Sequence, residues 1–311
     1  MKRHNHRVSF AFLALLVVAE AAYYAAAPPK FSDWLAPVNL GPVVNSAFND
    51  FGPALSRDRL SLYFGSNRPG GFGGTDIYVS QRASPDDPWG PPMNLGPNVN
   101  TPFTDNIPAF SRDGHWMFLN SDRPGTLGGM DLWVSWRAHT SDDFAWQPPV
   151  NLGPGVNTTS FDQGAAFFEN DDAGLPLLFF TSDRPGGAGA LDVYVSALGA
   201  DGSFGPATSV PELNTPQADQ RPAIRFDGLE ILLFSNRLGS VGGFDFWTST
   251  RDTVFDTWSL PVNLGAINSV SNEQTPYLSS DRRTLFFASD RPGGSGSLDL
   301  HVATRQRVQG R

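Results

Sequence analysis

One phrase recurs five times along this chain, and it constrains the fold more than any other feature. Each copy begins with Ser, then Asn or Asp, then Arg, continues through a glycine-rich stretch to Asp, and ends in a short apolar segment. The copies occupy residues 66–80, 121–135, 182–196, 235–249 and 289–303. Successive arginines of the phrase are 55, 61, 53 and 54 residues apart. A strand-rich repeat of this length is typical of a β-propeller in which each repeat forms one blade.

Each repeat predicts four strands. In the first repeat they cover residues 53–56, 60–66, 76–82 and 89–96, where apolar and polar residues alternate between Gly, Pro and Asp turns. The fifth repeat contains only the first three strands, and the matching fourth segment lies at residues 34–41. We therefore expect an all-β, five-bladed propeller of four-stranded blades. The N-terminal strand completes the last blade, which removes the exposed edges of an open array.

The first 27 residues differ from the repeats. A basic start precedes an apolar run over residues 8–19, which ends in a small–x–small cleavage pattern. This pattern predicts a secretory signal peptide at residues 1–27, with an N-terminal anchor as the alternative. Residues 28–311 then form a single propeller domain, exported to the periplasm or to the outside of the cell.

The composition of the chain excludes several classes of site and disfavours some binding partners. The chain has no cysteine, which excludes disulfides, thiol nucleophiles and zinc–thiolate sites. Its formal net charge of −9 disfavours nucleic acid and anionic membrane surfaces as partners. We expect a monomer whose mature domain does not insert into a membrane.

Two glycines and an Arg–Asp pair recur in every copy of the phrase. The glycines two and five places after each Arg, Gly70 and Gly73 in the first copy, are expected to supply positive φ. The Asp eight places after each Arg flanks the same loop, so we expect a structural ion pair that closes it. These pairs are Arg68 with Asp76, Arg123 with Asp131, Arg184 with Asp192, Arg237 with Asp245, and Arg291 with Asp299.

An acid precedes the first strand of every blade, where it is expected to encircle the mouth of the central channel. The acids are Asp50, Asp105, Asp162, Asp219 and Glu273, and the amides Asn106, Gln163, Gln220 and Gln274 follow four of them. Arg221 is a blade-specific cation beside them. Each acid can cap backbone N–H groups of its own loop, or the ring can hold a cation, an amine or a polyhydroxylated ligand. We expect a weak divalent-cation or polar-ligand site, with no other cofactor and no catalytic residue.

The repeat unit, from the acid through Pro-Ala and an Asp-Gly turn to Ser-Asp-Arg-Pro-Gly-Gly, resembles the WD40-like repeat of TolB-type bacterial propellers over residues 34–305. The resemblance implies an exported, non-catalytic module that binds a protein or cell-envelope partner, including a peptidoglycan-associated one.

The alternative is a glycan hydrolase. Five-bladed propellers host glycosidases in which acids from different blades converge, and the acids available here are Glu273, Asp50, Asp105 and Asp162. Because these acids recur at equivalent positions, as scaffold residues do, the sequence favours the binding module.

Overall fold

The computed structural model describes residues 30–169 and 174–308. Each repeat forms one antiparallel four-stranded sheet, and the sheets are numbered here as blades 1 to 5 in chain order. Blade 1 contains β3 (Asp50–Leu55), β4 (Ser61–Ser66), β5 (Asp76–Gln81) and β6 (Met93–Asn94). Blade 2 contains β7 (Asp105–Phe110), β8 (Trp116–Ser121), β9 (Asp131–Trp136) and β10 (Val150–Asn151). Blade 3 contains β11 (Asp162–Phe168), β12 (Leu177–Ser182), β13 (Asp192–Ala197) and β14 (Thr208–Ser209).

The last two blades follow the same order. Blade 4 contains β15 (Asp219–Ile224), β16 (Glu230–Ser235), β17 (Asp245–Thr250) and β18 (Val262–Asn263), followed by a 3-10 turn at Gly265–Ile267. Blade 5 contains β19 (Glu273–Leu278), β20 (Thr284–Ser289), β21 (Asp299–Thr304) and, from the other end of the chain, β2 (Val38–Asn39). The predicted all-β, five-bladed propeller is confirmed.

Closure by the N-terminal strand is confirmed as well. In blade 5, Val38 of β2 lies opposite Val302 of β21, and Asn39 lies opposite His301. A two-stranded sheet of β1 (Lys30–Phe31) and β22 (Arg307–Val308) continues the contact between the two ends. The outer strand of each blade is shorter than predicted, since only Met93–Asn94 of the expected 89–96 is paired in blade 1.

The core lies between adjacent blades. Tyr63 and Ile77 of blade 1, for example, pack in one buried cluster with Met117, Leu119 and Trp146 of blade 2. Four arginines at the ends of third strands also stack over tryptophans of the fourth segments. The stacked pairs are Arg82 with Trp89, Arg137 with Trp146, Arg251 with Trp258, and Arg305 with Trp34, at 4.1–4.4 Å. Apolar and cation–π contacts together hold the ring without disulfides.

The predicted signal peptide or anchor, residues 1–27, lies outside the described residues. Among the residues that are described, none belongs to a helix long and apolar enough to span a membrane.

Candidate functional site

The five acids before the inner strands lie inside the blades and do not face the channel mouth. Each has no exposed surface, and each forms an ion pair with the Arg of its own blade. The pairs are Asp50–Arg68 at 2.6 Å, Asp105–Arg123 at 2.5 Å, Asp162–Arg184 at 2.6 Å, Asp219–Arg237 at 2.5 Å and Glu273–Arg291 at 2.8 Å.

The remaining oxygen of each acid caps the loop before the strand. In blade 2, Asp105 Oδ2 accepts hydrogen bonds from the Thr101 N–H at 2.5 Å and the Thr101 hydroxyl at 2.7 Å, while Oδ1 also accepts from Ser121 Oγ at 2.6 Å. With both oxygens used in this way, the acids are not free to form a ring of ligands. Within residues 30–169 and 174–308, no group of three or more His, Asp or Glu side chains could hold a metal ion.

The Arg of each recurring phrase therefore pairs with the acid of the inner strand, and the predicted pairing with the Asp eight residues after the Arg is wrong. Arg68 reaches back across its blade to Asp50, and Asp76 instead accepts hydrogen bonds from the Phe72 N–H at 2.5 Å and the Gly73 N–H at 3.1 Å. The same exchange occurs in the other blades, so Arg123 does not pair with Asp131, nor Arg184 with Asp192, Arg237 with Asp245, or Arg291 with Asp299. The physical reason is that the loop's own amides already satisfy the second carboxylate, whereas the buried first acid needs a cation.

An asparagine from the fourth strand completes each of these loops except in blade 3. Asn94 Nδ2 donates to Asp76 at 2.7 Å in blade 1, but Ser209 occupies the equivalent position in blade 3. There Asp192 Oδ1 has no hydrogen-bond partner in the described part of the chain, and burial raises the pKa of Asp192. The Asn of the recurring Asn-Leu-Gly segment was a usable sequence signal for this role.

The two recurring glycines have different functions. Gly70 has φ of 92°, and its equivalents have 94–104°, as predicted. Gly73 does not have positive φ; a Cβ there would collide with the carbonyl oxygen of Phe103 in the next blade. Its equivalents Gly128, Gly189, Gly242 and Gly296 meet a backbone carbonyl of the following loop in the same way. The second glycine therefore allows neighbouring blades to interlock.

The channel is narrowed by a bulge in each inner strand. In all five blades the residue two places after the acid has positive φ: Gly52, Ile107, Gly164, Arg221 and Thr275, at 65°, 52°, 67°, 45° and 51°. The left-handed conformation suits glycine but strains β-branched and long side chains. The shared bulge imposes this backbone and brings these positions of different blades into contact. The Gly52 N–H, for example, donates to Thr275 Oγ1 at 3.0 Å.

Three of the predicted amides do reach the channel mouth. Gln163, Gln220 and Gln274 line a cavity of about 330 Å³ together with Arg221 and Thr275. Asn106 is not part of this lining: it is buried, and its Oδ1 accepts a hydrogen bond from Asn120 Nδ2 at 3.1 Å. The mouth is thus polar and rich in groups that both donate and accept hydrogen bonds.

Arg221 lies at the bottom of this cavity and also lines a second one, of about 130 Å³, toward the other end of the channel. Only 4% of its surface is exposed. Its Nη2 lies 3.5 Å from the carbonyl oxygen of Pro53 and 3.4 Å from that of Pro108. Nη1 has no hydrogen-bond partner among the described residues, and burial lowers the pKa of Arg221 to about 9.

Two carboxylates that the sequence analysis did not single out directly follow the second strands of blades 2 and 3. Asp122 Oδ1 accepts a hydrogen bond from the Thr104 N–H at 2.7 Å, and Asp183 Oδ1 accepts one from the Phe161 N–H at 2.7 Å. Thr104 and Phe161 correspond in their blades to Asn49 of blade 1, and of these three residues Asn49 lines the mouth cavity. Their second oxygens accept no hydrogen bond from the described residues. The signal was the alternation of Asn and Asp before each Arg: Asn67, Asp122, Asp183, Asn236 and Asp290.

Exposed aromatic rings lie on the same face. Phe48, Phe103 and Phe161 occupy the loops before the inner strands of blades 1, 2 and 3, and they are 42%, 41% and 48% exposed. The equivalent loops of blades 4 and 5 carry no aromatic residue. The face is therefore asymmetric, with an apolar arc on one side of a polar mouth.

No family model matches the sequence, and no curated protein matches it either. Several solved structures are similar to this chain. An alpha-L-arabinofuranosidase from Lactobacillus brevis is 11% identical, with a TM-score of 0.56, over 85% of this chain and 92% of that one. An alpha-L-arabinofuranosidase from Podospora anserina, in complex with cellotriose, is 13% identical, with a TM-score of 0.58, over 90% and 98%. A GH43_1 enzyme from Xanthomonas citri is 14% identical, with a TM-score of 0.56, over 86% and 90%.

At these identities the likeness establishes the fold, and it corrects two expectations. The chain's structural neighbours are glycoside-hydrolase propellers, so the assignment to the TolB-type WD40-like family is wrong. The non-catalytic module for a protein or cell-envelope partner, which depended on that resemblance, is contradicted with it.

Proposed function

We propose that the protein is an exported glycoside hydrolase that binds a glycan across the channel mouth. One observation carries this proposal: Asp122 and Asp183, on adjacent blades, each keep one carboxylate oxygen without a hydrogen bond from the described residues, and they cap the strand ends that in blade 1 border an amide-lined cavity. The arabinofuranosidases and GH43 enzymes that share the fold over most of both chains add support.

The lining suits a polyhydroxylated ligand. Amides such as Gln163, Gln220 and Gln274 present both donors and acceptors, which match sugar hydroxyls without requiring charge. The exposed rings of Phe103 and Phe161 offer flat apolar surfaces beside this polar mouth. An apolar platform next to convergent polar groups is the usual composition of a small-molecule or saccharide site.

Hydrolysis of a glycosidic bond needs two carboxyl groups on opposite sides of that bond, one as an acid and one as a base or nucleophile. The five buried acids cannot serve, because both oxygens of each are engaged and their arginines neutralise them. Asp122 and Asp183 each keep one oxygen available after capping a backbone N–H. We assign the acid and base roles to these two residues.

The test is release of reducing ends from a panel of polysaccharides and oligosaccharides, including arabinofuranosyl substrates. The variants Asp122→Asn and Asp183→Asn keep the capping oxygen, and each is expected to lower the rate by about 100-fold or more. Asp290→Asn is the matched control, because both oxygens of Asp290 already accept hydrogen bonds from Asn272. Its rate should stay within about twofold of wild type.

Hydrolysis of no substrate in the panel, or hydrolysis that survives both substitutions, contradicts the assignment. Binding of a glycan without its cleavage would support glycan recognition and contradict the proposed hydrolase activity.

A further inference from the structure

Arg221 is a buried cation without a counter-charge. No carboxylate of the described chain lies within ion-pair distance of it, and its contacts are two long ones to backbone carbonyl oxygens. The next arginine in the sequence is paired: Arg225 forms ion pairs with Asp227 at 2.6 Å and with Glu230 at 2.8 Å. A charge removed from water is unfavourable unless it is paired, so an unpaired guanidinium in the channel indicates a missing partner.

The position of Arg221 within the repeat is a second argument that its unpaired charge serves a ligand. The equivalent residues of the other blades, Gly52, Ile107, Gly164 and Thr275, are all uncharged. Blade 4 thus holds a long cationic side chain in a left-handed conformation, with φ of 45°, where two other blades have glycine. Since the bulge imposes the same backbone on Ile107 and Thr275, the feature that distinguishes blade 4 at this position is the buried charge, and an unpaired buried charge calls for a ligand.

We propose that the channel binds a singly charged anion, a halide or a carboxylate group, at the guanidinium of Arg221. The mouth cavity of about 330 Å³ adjoins this side chain and is large enough for such a group. Amide N–H groups of Gln163, Gln220 and Gln274 line the same cavity and can donate to the anion as it enters. The anion would share the mouth cavity and its amides with the proposed glycan site, but its binding requires neither Asp122 nor Asp183, so the two proposals can fail separately.

The anion can come from two sources, and the experiment distinguishes them. It is either a free ion such as chloride or acetate, or the carboxylate of an acidic sugar unit whose hydroxyls contact the amides. The experiment measures the melting temperature during titration with sodium chloride, sodium acetate, sodium glucuronate or neutral glucose. Ionic strength is held constant with the sodium salt of a bulky sulfonate that the channel cannot admit.

Wild type should show a rise in melting temperature that follows the logarithm of the anion concentration above Kd and reaches about 5 °C at about 100 times Kd, and glucose should give none. Arg221→Gln should abolish this rise. Arg57→Gln, which removes an exposed arginine at the other end of the channel, should preserve it. If Arg221→Gln does not fold, Arg221→Gly replaces it, because Gly52 and Gly164 adopt the same backbone.

A rise with all three anions identifies a free-ion site, and a rise with glucuronate alone identifies an acidic sugar. The proposal is overturned if the melting temperature of wild type does not rise with any of the anions, or if the Arg221 variants shift as wild type does.

Discussion

Replacing Arg221 by glycine should stabilise the protein in anion-free buffer. Burial lowers the pKa of this guanidinium to about 9. Since a tenfold change in a protonation equilibrium corresponds to about 1.4 kcal/mol, keeping the group charged at neutral pH is unfavourable by about 5 kcal/mol. Glycine also relieves the left-handed strain of about 1 kcal/mol or more. Lost packing of the arginine stem and the backbone entropy of glycine oppose these gains, so we expect a net stabilisation of about 2 kcal/mol.

The assay is thermal or urea denaturation, in which the melting temperature should rise by about 4 °C. Arg221→Gln separates the two causes, because it removes the charge and keeps a non-glycine residue at the strained position. The folded pKa of Arg221 lies below its unfolded value, so the destabilisation is complete below about pH 9. The difference between variant and wild type should therefore shrink as pH rises through 9. A variant less stable than wild type at pH 7, or a difference that does not change above pH 9, would refute the argument.

Three further outcomes follow from the scaffold. Asp105→Ala leaves Arg123 buried without its partner and should lower the free energy of unfolding by about 3–5 kcal/mol. A double-mutant cycle with Arg123→Ala should show coupling, and additive losses would mean that the pair does not interact. Gly128→Ala places a Cβ against the carbonyl of Ser160 and should lower the free energy of unfolding by about 2 kcal/mol or more in urea denaturation. Gly153→Asn is the control, because a Cβ there meets no atom within 4 Å, and it should change stability by under about 1 kcal/mol. Deleting residues 28–45 removes β2 and should cause aggregation or a large fall in melting temperature, and an unchanged melting curve would argue against strand closure.

The sequence predicted the fold well because the information for it is local and repeated. Strand alternation, turn residues and a constant spacing appear in five copies, so an error in one repeat is corrected by the others. The closing strand could be found for the same reason, since the Trp34 to Gly41 segment matches the spacing of Trp89 to Gly96.

The candidate site was harder to predict because it depends on which way side chains turn within a loop. Asp76 is eight residues from Arg68, and Asp50 is eighteen residues away, but the chain folds back so that the more distant acid is the partner. Similarly, the second glycine is required by a neighbouring blade, and no pattern within one repeat reveals that contact. The sequence signal behind the role proposed for Asp122 and Asp183 is the Asn/Asp alternation before each Arg, and its meaning depends on the hydrogen bonds of the folded loops.

The pairing of Asn39 with His301 also bears on how the molecule is made. The two residues are 262 positions apart, so β2 cannot pair until the much later strand β21 has been synthesised. Blades 1 to 4 can each complete a local sheet, but the ring stays open until blade 5 receives β2. Contacts of such long sequence separation slow folding, because loop closure precedes any gain from the contact. An open array of this kind would expose two sheet edges for its whole lifetime. A circular permutant that begins between two blades would give blade 5 a local fourth strand, and it should reach the closed ring sooner than the natural order of the chain allows.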